Sequence, residues 1–258
     1  MTIDTTAPAR TGQTAYLPLA PPADDRLRLF CIPHAGGAAS AFARWQARLG
    51  DRVAVLPVQL PGRGRRVGEA RIRQIDRLVA ELDEHLDQAM RQPFALYGHS
   101  MGALIAYRLT RRRQERGARL PDRLMVGACI APHRRSGVTA TTTMSDDELA
   151  GWLIAIGGMS PELLRYPKWV RQAIDLLRDD LLLYGSHVPA LEAPLPVPVD
   201  VFAGTTDPLL PVEEAAHWAL HTNAGSATHL MRGGHFFIQE SEESFLAALR
   251  DRLHQLVP

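Results

Sequence analysis

The chain has 258 residues, 46% of them apolar and 22% charged, which suffices for the core of a single α/β domain and excludes a disordered or fibrous protein. A formal net charge of +1 gives no basis for a general nucleic-acid or membrane surface, and no run of about 18 apolar residues is present to cross a bilayer. Cys31 and Cys129 each lie in an apolar run and read as small buried hydrophobes; without a CxxC pair or Cys/His cluster, no disulfide, metal or cofactor is expected, and a reducing cytoplasm fits.

Residues 1–25 are polar and proline-bearing, lack the basic start and apolar stretch of a secretory signal, and read as a loose, flexible lead-in. From Arg26 to the end at 258, short β-branched or apolar runs alternate with amphipathic segments of helix length. This is the pattern of a mainly parallel sheet with helices on both faces. Strands are predicted over 27–32, 53–58, 94–97, 124–130, 199–203 and 228–231. Crossover helices are predicted over 71–90, 103–116, 212–221 and 242–256, Leu78, Leu82 and Leu86 marking the apolar face of the first.

Between the strands ending at Ile130 and starting at Val199 lie about seventy residues, far more than one crossover needs, so an insertion over about 138–195 is expected. Ser145-Asp146-Asp147-Glu148 is a capping box that opens a helix, with Leu149, Trp152, Leu153 and Ile156 along one face. Ser160-Pro161-Glu162 marks a second helix start, and a third helical segment runs over 169–184. Because the insertion leaves the carboxyl end of a strand, where open α/β sheets bind ligands, it reads as a helical lid.

The strongest motif is Gly98-His99-Ser100-Met101-Gly102, a G-x-S-x-G lying between a predicted strand and a predicted helix. That context makes it a nucleophile elbow, with Ser100 exposed at the sheet edge on a strained turn. A serine hydroxyl needs a base, and the base needs a group to fix its tautomer. In the α/β-hydrolase fold the chain order is serine, acid, histidine. Asp207 follows the strand 199–203 in Gly204-Thr205-Thr206-Asp207-Pro208, and His235 follows the next strand in Gly233-Gly234-His235-Phe236-Phe237. Asp200 is a rival acid, but it lies within a strand and not after one. His217 and His221 are spaced i, i+4, yet Trp218 follows the first, so the H-E-x-x-H zinc pattern is absent. His99 is expected to be held inside the elbow. For the oxyanion, the backbone N–H of Met101 is one expected donor, and that of Ala35, in Pro33-His34-Ala35-Gly36-Gly37 after the first strand, is the other.

With these parts in place, the stretch from Arg26 to Leu256 resembles the type II thioesterases that accompany polyketide synthases and nonribosomal peptide synthetases. The resemblance is carried by Pro33 to Gly37, Gln59-Leu60-Pro61-Gly62-Arg63, Gly98 to Ala103, Gly204 to Pro208 and Gly233 to Phe237. It implies an editing enzyme that hydrolyses stalled or misprimed acyl groups from the phosphopantetheine arm of acyl or peptidyl carrier proteins, with no cofactor of its own. Carrier proteins are generally acidic, so Arg63, Arg65, Arg66, Arg134 and Arg135 are expected to form a docking rim. Met144, Trp152, Met159, Trp169 and Leu182 are the expected lining of an acyl chamber under the lid. A cytoplasmic monomer, binding neither nucleic acid nor membrane, is the expectation. A general carboxylesterase or lipase acting on oxygen esters is the nearest rival, and a noncatalytic small-molecule binder of the same fold is the rival from another class.

Overall fold

Short apolar runs become buried strands where helices cover both faces of the sheet, so every position of the first five strands is buried, while the last, at the sheet edge, alternates between exposed and half-buried. The computed structural model describes residues 14–135 and 137–257. Among these, six strands form one parallel sheet: β1 (Leu27–Ile32), β2 (Val53–Pro57), β3 (Phe94–His99), β4 (Arg123–Gly127), β5 (Val199–Gly204) and β6 (Ser226–Met231). Their spatial order is β2-β1-β3-β4-β5-β6. The chain therefore steps outward from β1 to β2 and returns past β1 to β3, which makes the β1/β3 carboxyl ends the topological switch point.

Strand alternation sorts the core into two layers. Phe30, Ile32, Leu96, Val126 and Val201 face the layer of α2 (Ile75–Leu86) and α3 (Met101–Glu115). Leu29, Cys31, Tyr97, Met125 and Phe202 face that of α1 (Trp45–Leu49) and the last helix (Glu242–His254). Both cysteines are free and buried, as small hydrophobes would be. No helix among the described residues is long and apolar enough to cross a membrane.

The insertion between β4 and β5 is helical, with a 3₁₀ segment (Gly137–Thr143), α4 (Asp146–Ala155), a second 3₁₀ segment (Pro161–Arg165) and α5 (Pro167–Gly185). Its capping box is formed: the Ser145 hydroxyl accepts from Glu148 N–H while the Glu148 carboxylate accepts from Ser145 N–H. Leu149, Leu153, Ile156, Ile174, Leu177 and Leu181 give it an apolar cluster of its own.

Four expectations need correction. Within the lead-in, residues 1–13 lie outside the described residues, but Tyr16 and Leu17 are buried, and the Tyr16 hydroxyl donates to Glu81 on α2. That part of the lead-in is packed, not loose. β4 ends at Gly127, not at 130, because Ala128 turns into the left-handed region at φ 52° and diverts Cys129 and Ile130 out of the sheet. The helix expected over 71–90 begins at Ile75, since residues 71–74 are non-helical and are tied to α5 by Arg71 and Arg73 on Asp179, and Ser186 Oγ, at the end of α5, accepts from Ile75 N–H. The segment 212–221 is a short α6 (Val212–Ala215) continued as a 3₁₀ helix (Ala216–His221).

Candidate active site

The elbow forms where β3 meets α3. Ser100 takes φ 53° and ψ −117°, a conformation unfavourable for a residue with a Cβ, and it is held there by its N–H on the Gly127 carbonyl (2.7 Å). The flanking glycines are required by contact: a Cβ on Gly98 would lie 2.1 Å from the Gly102 carbonyl oxygen, and one on Gly102 would lie 2.2 Å from that of Ile32.

The loops after β5 and β6 deliver the acid and the base together. Thr205 N–H donates to the Met231 carbonyl and Thr206 N–H to that of Gly233, and Gly204 packs so tightly that a Cβ there would lie 2.2 Å from the Gly234 oxygen. Asp207 thereby meets His235 in a site where both side chains are almost fully buried, with Nδ1 at 2.9 Å and 3.1 Å from the two carboxylate oxygens. His235 Nε2 lies 3.0 Å from Ser100 Oγ. An ionised carboxylate only accepts, so the proton of a neutral His235 sits on Nδ1 and Nε2 is left to accept from the serine hydroxyl. Asp207 is itself fixed by Leu209 N–H at 2.8 Å.

His99 faces away from the hydroxyl, as expected, and acts as a prop. Its Nε2–H donates to the backbone carbonyl of His235 at 2.8 Å, and its Nδ1 accepts from the Tyr97 hydroxyl at 3.1 Å. Burial, reinforced by neighbouring His235 and His34, keeps its pKa well below the usual imidazole value, which preserves this neutral tautomer. His34 is likewise pushed down to about 4 by burial and then by His235 and Arg63, so it adds no positive charge beside the base.

The rival acid Asp200 is engaged elsewhere. It sits within β5 and binds Arg123, Arg252 and His229; burial alone would raise its pKa, but these hydrogen bonds bring it down to about 2. His221 is a buried core histidine bonded to Tyr107 and His133 and not to His217. Among the described residues no group of three His, Cys, Asp or Glu side chains could hold a metal ion.

After β1, His34 to Gly37 form a tight turn in which Gly37 N–H donates to the His34 carbonyl (2.9 Å) and Gly36 has φ +77°. Gly36 N–H donates to the Asp180 carboxylate at 2.7 Å. Among the described residues, neither Ala35 N–H nor Met101 N–H has a protein acceptor, and both residues border the space beside Ser100 Oγ.

That space is a slot of about 30 Å³ roofed by Leu181 and Tyr184 of α5. At Ala35 it adjoins an apolar cavity of about 420 Å³ inside the insertion, lined by Leu153, Met159, Leu163, Tyr166, Ala173 and Leu177 among others. At Ile130 and Leu209 it adjoins a more polar groove of about 600 Å³ bordered by His133, Arg134, Arg135 and Glu214.

The expected lining fares unevenly. Met159 borders the cavity, while Met144 and Trp152 pack against the insertion's apolar cluster without bordering it. Trp169 and Leu182 are corrections, being 66% and 44% exposed, because the face of α5 that points inward carries Ile174, Leu177 and Leu181. The docking rim also needs correction. Arg63 is 5% exposed and forms a bidentate ion pair with Asp180 (2.6 and 2.7 Å). Arg66 lies over the Tyr16 ring and binds Glu69 and the Gln59 carbonyl. Arg65 and Arg135 are exposed, as is Arg134, which pairs with Glu214. Asp180 was missed by sequence reasoning; the signal was a pair of carboxylates, Asp179-Asp180, inside an amphipathic helix next to inward-facing leucines, a placement that demands cationic partners.

Comparison with known proteins gives the family. The profile of the family described as "Thioesterase domain" matches residues 27–253. The chain belongs to that family. Among solved structures, this thioesterase superposes on the RedJ thioesterase from the prodiginine biosynthetic pathway in Streptomyces coelicolor with a TM-score of 0.83, at 34% identity, covering 91% of this chain and 96% of the other. The thioesterase PikA5 of Streptomyces venezuelae is 29% identical over 90% of this chain and 83% of its own. A protein of Brevibacillus parabrevis named linear gramicidin dehydrogenase LgrE is 30% identical over 90% of this chain and 89% of its own. The parallel sheet, the elbow after β3 and these neighbours make the fold that of an α/β-hydrolase.

Proposed function

We propose that this enzyme is an editing thioesterase that releases stalled or misprimed acyl groups from the phosphopantetheine arm of acyl or peptidyl carrier proteins, working alongside polyketide or nonribosomal peptide synthesis. The observation that carries the chemistry is the hydrogen-bond chain from Ser100 Oγ through His235 to Asp207, set beside two backbone N–H groups with no protein acceptor. The similarity to a thioesterase from the prodiginine biosynthetic pathway supports the pathway assignment.

In the proposed reaction Ser100 Oγ attacks the thioester carbonyl carbon while His235 Nε2 takes the hydroxyl proton. The oxyanion accepts from Ala35 and Met101 N–H. Asp207 stabilises the resulting imidazolium without taking its proton. The C–S bond then breaks, the thiol leaves with the proton from His235, and an acyl-Ser100 ester remains. Water, deprotonated by His235, attacks that ester, the C–Oγ bond breaks, and the acid departs as the serine regains its proton. The apolar cavity suits the acyl chain, and the more polar groove suits the arm. Arg65, Arg134 and Arg135 are the exposed cations kept from the expected rim for docking an acidic carrier. Cys31 and Cys129, free and buried, accord with a reducing, cytoplasmic compartment.

The dehydrogenase name of one relative does not transfer. A dinucleotide fingerprint needs G-x-G-x-x-G between a strand and a helix, and the loops after β1 and β3 read Pro33-His34-Ala35-Gly36-Gly37 and Gly98-His99-Ser100-Met101-Gly102. The test is intact-mass measurement of the enzyme quenched during turnover of an acylated carrier protein. An acyl adduct on wild type that is absent from Ser100→Ala is expected; carrier deacylation without any adduct, or equal deacylation by Ser100→Ala, would overturn the proposal.

A further inference from the structure

The slot over Ser100 is narrow and is bordered by Leu181 and Tyr184 of α5, so the room for an acyl thioester beside Oγ depends on where α5 sits. Asp180, adjacent to Leu181 on the same helix, is the residue that binds the turn after β1. One of its oxygens accepts both Gly36 N–H (2.7 Å) and Arg63 Nη1 (2.6 Å), and the other accepts Arg63 Nη2 (2.7 Å). Arg63 Nη1 also reaches the Gly37 carbonyl at 3.2 Å. The pair is almost fully buried, with side-chain exposures of 5% and 1%. Its neighbour Asp179 pairs with Arg71 and Arg73, so the same turn of α5 is fastened to the β2–α2 connection at a second, more exposed point.

The turn has three consecutive N–H groups with separate destinations. Gly37 N–H closes the turn on His34, Gly36 N–H goes to Asp180, and Ala35 N–H is left free to face the slot. Without Asp180, Gly36 N–H would become a second unpaired donor, and only the Gly37–His34 closure and the Arg63 contact with the Gly37 carbonyl would remain to set the peptide planes.

We propose that Arg63 and Asp180 are positioning residues that couple the seating of α5 over a bound acyl group to the alignment of the Ala35 oxyanion donor. When α5 lifts to admit substrate, Asp180 withdraws and the turn loses its brace. When α5 closes on an acyl group that fits the cavity, the clasp re-forms and the donor is aligned. An acyl group that holds α5 open is bound but turned over slowly, so the clasp converts chamber fit into kcat and not only into affinity.

The inference rests on the proposed mechanism, with Ser100 as nucleophile and Ala35 as an oxyanion donor, and the experiment separates failure of the clasp from failure of the nucleophile assignment. Asp180→Asn and the double variant Arg63→Met/Asp180→Asn, which leaves no buried unpaired charge, are compared with wild type. Substrates are a short acyl-pantetheine thioester and a fluorophosphonate that modifies Ser100 directly. Either variant is expected to lower kcat about 10- to 100-fold while KM changes by less than about threefold, and to slow fluorophosphonate modification in proportion. Arg73→Ala, which loosens only the outer pair, is expected to retain the wild-type kcat. Hydrogen exchange on wild type should show the amides of 34–37 and of α5 gaining protection together when Ser100 carries the phosphonate. Folded variants with kcat within about twofold of wild type, or protection gained in α5 but not in 34–37, would overturn the clasp. Failure of wild type to react with the fluorophosphonate would instead overturn the nucleophile assignment.

Discussion

Replacing Ala35 by proline deletes one hydrogen-bond donor and sets the ring Cδ where that hydrogen pointed. Closure of the turn from Gly37 N–H to the His34 carbonyl, with Gly36 at φ +77°, is the signature of a type II turn whose second position is Ala35. Proline is favoured at that position because its fixed φ matches the turn, so Ala35→Pro should fold within about 1 kcal/mol of wild type. What it loses is the N–H proposed for the oxyanion. No other group in the loop can replace it, since Gly36 N–H is bound by Asp180 and Gly37 N–H by His34. Only Met101 N–H would remain, and the loss of one such donor corresponds to about 2.7–4 kcal/mol of transition-state stabilisation, or roughly 10²- to 10³-fold in kcat. Single-turnover hydrolysis of an acyl-pantetheine thioester reads this directly, with Ala35→Ser, which keeps the N–H, as the control. A folded Ala35→Pro variant with kcat within about threefold of wild type would refute the assignment of this loop.

Three other outcomes are expected. Asp207→Asn should keep the fold but present an amide where His235 Nδ1–H needs an acceptor, lowering kcat by roughly 10³- to 10⁴-fold; a drop of less than about tenfold would contradict the role given to Asp207. Ala173→Phe projects a ring into the 420 Å³ cavity and should move the preference from longer to shorter acyl groups, read as the ratio of kcat/KM values across a chain-length series; an unchanged ratio would place the acyl chain elsewhere. His34 and His221 have pKa values pushed down from 6.5 to about 4, each chiefly by burial, so between those pH values the unfolded chain binds more protons than the folded one. Stability should therefore fall as pH falls through this window, by at most about 1.4 kcal/mol per pH unit for each histidine. Urea titrations at pH 7 and pH 5 measure it, and His221→Asn should reduce the difference; an equal or larger difference in that variant would refute the contribution of His221.

What the sequence made legible is what local chemistry specifies. Mainly apolar runs of strand length located β1, β2 and β3 closely because both faces of the sheet are covered. Gly98, Ser100 and Gly102 could be read because the sterics that require them lie within a few residues, and Asp207 and His235 because strand ends project to one edge of a parallel sheet. The end of β4 was hidden, since Ala128 enters the left-handed region inside an apolar run with no glycine at that position. Arg63 was misread for a different reason. Its partner lies 117 positions away on the insertion, and nothing local separates an arginine that faces solvent from one that is buried against such a carboxylate. The lining of the cavity failed at Trp169 and Leu182 because residue size is a poor guide to the inward face of a helix. The spacing of Ile174, Leu177 and Leu181 was the better signal. Tyr16 shows the same limit: a polar, proline-bearing stretch still contributes a buried ring when α2 and Arg66 offer it a surface.

The most direct test of the editing-thioesterase assignment is hydrolysis of a matched panel, acyl carrier protein thioesters against oxygen esters of the same acyl groups, with Ser100→Ala as the control. A strong preference for the carrier thioesters that vanishes in Ser100→Ala is expected. Equal or faster turnover of the oxygen esters would contradict it and make the enzyme a general esterase.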